Sequence, residues 1–178
     1  IHTQLPVLLS EYSFYDTQDV ETYLALLKET PAYFDSVIQF EQKKAASGLF
    51  MPDYQVDSVL NTCQSFIDMG KENYLVSTFD ERIASLNLLP ENKKDSFRKE
   101  NVKLVTEEIY PAYQNLITAI KSLKGKGTNE QGLSHFPYGK KYYEYLVRQA
   151  TGCNESISRL RLMTRAQILE DLSAMQKV

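Results

Sequence analysis

Two histidines, two cysteines and a scatter of glutamates are the side chains here that could do chemistry on a substrate. Catalytic zinc is held by three protein ligands, commonly including two histidines one helical turn apart with a glutamate between them. His2 and His135 each lack a second histidine at i+4, so neither is expected to bind metal and no metal-ligating residue is assigned. No G-x-S-x-G elbow presents a nucleophilic serine. The stretch GKGTNEQG, residues 125–132, lacks both the G-K-[ST] ending and the preceding strand that a phosphate loop needs. Glu107 and Glu108 are sequence neighbours that a helix would point about 100° apart, so they cannot both serve one substrate in an acid–base arrangement with Glu11. Glu41 shares a helical stripe with Phe34, Ile38 and Ala45 and is expected to pair with a lysine or arginine rather than to catalyse. No catalytic residue and no cofactor is assigned to this chain on these grounds.

The cysteines are equally reticent. Cys63 lies on a stripe with Val56, Val59, Leu60 and Ile67, which predicts a buried, inert thiol. Cys153 follows Gly152 at a helix end, and the wide separation of the two indicates neither a metal pair nor a disulfide framework. The density of phenols is more informative. FPYGKKYYEYLVRQATG, residues 136–152, holds four tyrosines between positions 138 and 145, about two helical turns. At 100° per residue Tyr143, Leu146, Val147 and Ala150 share one arc, the expected core face, while Lys141, Glu144 and Arg148 fall opposite, with Glu144 and Arg148 spaced for a surface ion pair. Tyr142 lies at the edge of the core arc and Tyr145 one step beyond it. With Tyr138 they would form a phenol-lined ledge, the candidate site for a substrate or partner, unless neighbouring helices cover it.

The elements that position these residues read as helices nearly throughout, because apolar residues recur at three and four and nowhere alternate at two. An all-α, irregular multi-helix bundle is expected. Asp16 is placed to cap a helix carrying Val20, Tyr23, Leu24 and Leu27 that ends near Thr30-Pro31, where a second helix starts and runs to Gly48. The Cys63 helix, a helix with Leu75, Phe79, Ile83 and Leu86, and a long stretch from Phe97 to Leu123 follow. Pro111 inside that stretch predicts a kink near residues 107–111 in an otherwise continuous helix. Residues 125–139 form the longest loop, and beyond the tyrosine helix two shorter helices are expected, the last with Ile168, Leu169, Leu172 and Met175.

The chain has 178 residues, 43% hydrophobic and 24% charged, which suits one helical domain over 1–178. Its 20 basic and 23 acidic residues are interspersed, so no basic stripe suits a nucleic-acid backbone. No apolar run approaches the roughly 20 residues of a membrane span. The opening IHTQLPVLLSEY has neither an initiator Met nor a signal-peptide charge pattern, and a chain processed or cut from a longer protein is expected.

Four blocks in order, LPVLLSEYSFYD, YLALLKETPAYFDSVIQFEQKKAASGLFMPDY, YPAYQNL and FPYGKKYYEYLVRQATG, resemble the large bacterial family catalogued as domain of unknown function 885. The resemblance spans essentially the whole chain. It implies a parent much longer than this chain, similar to zincin-type metallopeptidases, with a His-Glu metal motif in its C-terminal half and a secreted or lipid-anchored location. No such motif occurs here, so no metal or catalytic residue carries over, and the zinc belongs to the parent. The chain then resembles an internal helical segment that flanks and helps to wall a substrate channel, with the rest of the parent and a peptide substrate as its partners. Two other readings stay open: a free-standing peptide- or protein-binding module, and a complete small enzyme using carboxylates or an unrecognised nucleophile.

Overall fold

The computed structural model describes residues 1–176, and among them every regular element is helical. The helices are α1 (Gln4–Ser10), α2 (Thr17–Ala46), α3 (Asp53–Asp68), α4 (Tyr74–Ala84), α5 (Glu91–Leu104), α6 (Tyr110–Ser122), α7 (Gly139–Thr151) and α8 (Ile157–Met175). They divide between two compact units, Ile1–Thr128 and the chain from Asn129 onward.

In the first unit α2 is the spine. Asp16 starts it with a capping box, accepting from the Asp19 N–H at 3.1 Å while the Asp19 carboxylate accepts from the Asp16 N–H at 3.3 Å. The break expected at Thr30-Pro31 does not occur, and α2 is one helix of 30 residues with Pro31 inside it. Proline there removes a backbone donor and costs about 3 kcal/mol. Leu27, Thr30, Phe34 and Ile38 form one buried stripe across the proline, and burying Leu27, Phe34 and Ile38 at about 1.5–3 kcal/mol each outweighs that cost. The Thr30 hydroxyl donates to the Leu26 carbonyl at 3.0 Å. Gly48, at φ +70°, ends the helix in the left-handed conformation.

The buried stripe of α2 packs on α5, α6 and the turn between them; α3 packs on α6, and α4 lies against α1 and α5. From Glu91 to Ser122 the chain is helical without a gap, but Val105–Ile109 form a π turn, with the Tyr110 N–H reaching back five residues to the Val105 carbonyl. This wide turn sits immediately before Pro111. It turns Val105 and Ile109 inward, and it leaves Glu107 exposed and Glu108 half-buried.

Two aromatic clusters fill the core. Tyr12, Phe14, Tyr23 and Phe79 meet edge to face or tilted at 5.4–6.1 Å, and Phe34, Phe66 and Tyr113 at 4.5–5.0 Å. The Arg82 guanidinium lies over the Phe14 and Tyr23 rings and donates to the Leu9 and Tyr12 carbonyls, which ties α1 to α4. Buried Asn73 joins α3 to α4, donating to the Phe66 carbonyl at 3.1 Å and accepting from the Leu75 N–H at 2.9 Å. In the second unit α8 is a single helix of 19 residues, where two shorter ones were expected. Ser156 caps it through the Arg159 N–H.

Candidate functional site

The tyrosine helix begins with an unusual turn. Tyr138 has φ +60°, a backbone region that non-glycine residues rarely occupy, and Gly139 follows it buried. A Cβ on Gly139 would stand 1.7 Å from the Leu133 carbonyl oxygen, so only glycine fits where the chain doubles back. The Gly139 N–H donates to the Phe136 carbonyl and the Tyr142 N–H to the Tyr138 carbonyl. Gly152, at φ +64°, ends α7 with its N–H on the Arg148 carbonyl.

Two of the three tyrosines expected to form a ledge, Tyr142 and Tyr145, are neighbours on α7. Tyr142 and Tyr145 stack with ring centroids 6.1 Å apart and planes 20° from parallel, and each is about half exposed, at 52% and 50%. Tyr138 precedes them at 80% exposure. The expected core face is not formed, however. Tyr143 is 49% exposed, Leu146 and Ala150 are also exposed, and Gly139 is the only buried residue of α7. Periodicity identifies the side of a helix that can be buried, but not whether anything covers it. Instead Tyr143 lines a groove of about 400 Å³ with Leu133, Lys140, Glu144 and Ile157, a combination that helical phase alone does not reveal. The predicted Glu144–Arg148 ion pair is replaced by a long bond from Arg148 Nε to the Glu144 backbone carbonyl, 3.4 Å.

The candidate histidines and Glu41 each have partners that the structure shows. His2 offers its backbone carbonyl to the Tyr113 hydroxyl at 2.5 Å, and burial, with the nearby amino terminus, lowers the pKa of its ring. His135 Nδ1 lies 3.1 Å from Ser134 Oγ and 3.2 Å from the Gln131 carbonyl oxygen. A nitrogen that donates its proton to that carbonyl cannot take one from the serine. Glu41 pairs with Lys44 one turn on, at 2.9 Å, as a structural salt bridge. Cys63 is buried, and desolvation pushes its thiol up to about 11. Cys153 is free and half-buried. Among the described residues no three His, Cys, Asp or Glu side chains converge as a metal site. Among those residues, too, no helix is long and apolar enough to cross a membrane.

No curated protein matches the chain. A crystal structure described as "the putative lipoprotein from Colwellia psychrerythraea" shares the fold with a TM-score of 0.80 at 18% identity, over 94% of this chain and 29% of that one. The chain thus spans less than a third of the length of that solved relative. The family model described as bacterial protein of unknown function, DUF885, matches residues 1–178, and the chain belongs to that family.

Proposed function

We propose that this chain is the non-catalytic helical portion of a larger zincin-like, metal-dependent peptidase, and that α7 helps to wall its substrate channel. The observation that carries the reading is one of length: the same helical arrangement occurs in the solved relative as 29% of a longer chain. The half-exposed tyrosines suit it, because a ring at the border of a packed surface can bury its face while its hydroxyl bonds a peptide backbone. On this reading the metal ligands lie in the rest of the parent, which docks on the apolar surface that α7 and α8 leave exposed. That the solved relative is described as a "putative lipoprotein" supports an extracytoplasmic, lipid-anchored parent.

The test compares the longer protein with the 178-residue chain, both supplied with zinc, on a mixture of unstructured peptides. Cleavage by the longer protein that chelation abolishes, with none by this chain, is the expected result. Cleavage by this chain alone, or a longer protein that cleaves nothing and holds no zinc, would sink the reading.

A further inference from the structure

The first unit carries an apolar stripe that its own core does not use. On α2 the buried arc runs through Tyr23, Leu27, Phe34 and Ile38. Beside it Leu26, Tyr33 and Phe40 stand exposed at intervals of seven residues, with half-buried Val37 between the last two. On a straight helix such a row drifts by about 20° per step, the geometry of a seam for a second helix crossing at a shallow angle. From Leu26 to Phe40 the stripe is roughly 21 Å long. At its first half α1 lies alongside, and Leu5, Leu8, Leu26 and Tyr33 line a groove of about 400 Å³ whose only carboxylate is Glu29. At its other end the Phe40 ring is 60% exposed and touched by the Lys44 ammonium, 5.6 Å from its centroid.

We propose that two copies of this chain associate through α2 as an antiparallel, twofold-symmetric dimer, with Tyr33 on the axis and each Phe40 seated in the groove of the other copy. The spacing selects a second copy as the occupant. Leu26 and Phe40 are equidistant from Tyr33, so a reversed copy brings each Phe40 opposite Leu26 and over the groove, which makes the patch self-complementary. The charges agree. On the face of the stripe Asp19 lies at the start of α2 and Lys44 in its last turn. Antiparallel pairing brings the Asp19 carboxylate, which accepts the Asp16 N–H in its own chain, toward the Lys44 ammonium, which pairs with Glu41 in its own, whereas parallel pairing would oppose like charges. A small apolar ligand would fill the groove and leave Phe40 bare; one twofold contact covers both. The inference is independent of the peptidase reading, since it uses no residue of α7.

Sedimentation equilibrium of the chain over micromolar to submillimolar concentrations tests it. A monomer–dimer equilibrium is expected, weakened at least about thirtyfold by Tyr33→Asp, which places two like charges on the axis, and about tenfold by Phe40→Ser. Both variants should keep the wild-type circular dichroism, because the side chains they replace are exposed. Tyr33→Cys in a Cys153→Ser background should form an intermolecular disulfide on air oxidation, while Ser65→Cys on the exposed side of α3 should not. A chain monomeric throughout, a dimer indifferent to Tyr33→Asp, or cross-linking equal at Ser65→Cys would overturn the proposal. So would a longer parent protein that stays monomeric while this chain dimerises, which would assign the stripe to the rest of the parent.

Discussion

Individual side chains of the first unit sort by how completely water is removed from them. Phe34 is 1% exposed and sets its ring edge against Tyr113 at 5.0 Å, so Phe34→Ala leaves a cavity and should cost about 3–5 kcal/mol in a denaturant melt. Leu60, from the stripe that predicted Cys63 to be buried, is only half-buried, and Leu60→Ala should cost clearly less. Burial also shapes the alkaline limb of stability. Desolvation raises the Cys63 thiol from 9.0 to about 11 and the Tyr23 phenol from 10.0 to about 12, the latter against the opposing pull of the Arg82 charge. The unfolded chain releases both protons first, so stability is complete below about pH 9 and declines as pH rises through the interval between unfolded and folded values. Urea melts at pH 7, 10 and 11 should show midpoints that fall across the last two, and Cys63→Val should lessen the fall. A midpoint unchanged to pH 11 would show that Cys63 ionises in the native state. Under native conditions at pH 8 an alkylating reagent should label Cys153 and spare Cys63, and mass measurement of the modified chain reads this directly.

At the scale of elements, the caps and stripes were legible in the sequence where a local signal and a long-range one agreed. Asp16 caps α2, and Leu75, Phe79 and Ile83 are the buried face of α4, because cap chemistry and helical phase are written in adjacent residues. Thr30-Pro31 misled because the local signal for a helix start is the same whether or not tertiary packing outweighs it; here the buried stripe of α2 runs straight through. On α7 the nearness of Tyr142 and Tyr145 was readable from spacing, but their stacking and the exposure of Tyr143 and Leu146 were not, since a wheel carries no information about ring orientation or neighbours. The strained Tyr138 and the obligatory Gly139 left only a faint trace, the Pro-Tyr-Gly triplet at 137–139. The loop after α6 illustrates the same limit. Glycines suggest a slack connection, yet the Gly125 N–H donates to Asp53 at 2.8 Å, Thr128 Oγ1 to the Gly48 carbonyl at 2.8 Å, and a Cβ on Gly127 would lie 2.5 Å from the Met51 carbonyl oxygen. Gly127→Ala should therefore destabilise by about 1–3 kcal/mol. Gly132→Ala gives a contrast. Its φ of +87° adds strain, but no atom lies within 4 Å of the new Cβ, so its cost should come from the backbone alone, about 1 kcal/mol. Equal, negligible losses at both positions would mean that Gly127 is not held against Met51.

For the molecule as a whole, the contrast between the two units decides where function is to be sought. The first unit has a continuous core, whereas in the second Gly139 is the only residue buried among those described, and Leu162, Ile168, Leu169, Leu172 and Met175 of α8 are all exposed. Helices that bury so little contribute little by their side chains to the stability of the isolated chain, because hydrophobic stabilisation follows the apolar area removed from water. Tyr145 is half exposed and its ring meets one other, Tyr142. Tyr145→Ala should accordingly change the stability of this chain by less than about 1 kcal/mol. On the peptidase reading proposed above, the same ring in the longer parent is covered by the docked remainder or by substrate, and its truncation should lower kcat/KM, or the affinity of the remainder supplied as a separate chain, by about tenfold or more. Tyr145→Phe separates the two contributions of the residue, since it keeps the ring and deletes only the hydroxyl. If the ring packs on the remainder, Tyr145→Phe behaves as wild type; if the hydroxyl bonds a peptide backbone, it shares the loss in kcat/KM. A stability loss of several kcal/mol for Tyr145→Ala in the isolated chain would instead make the residue part of this chain's own core and remove the ledge as a site.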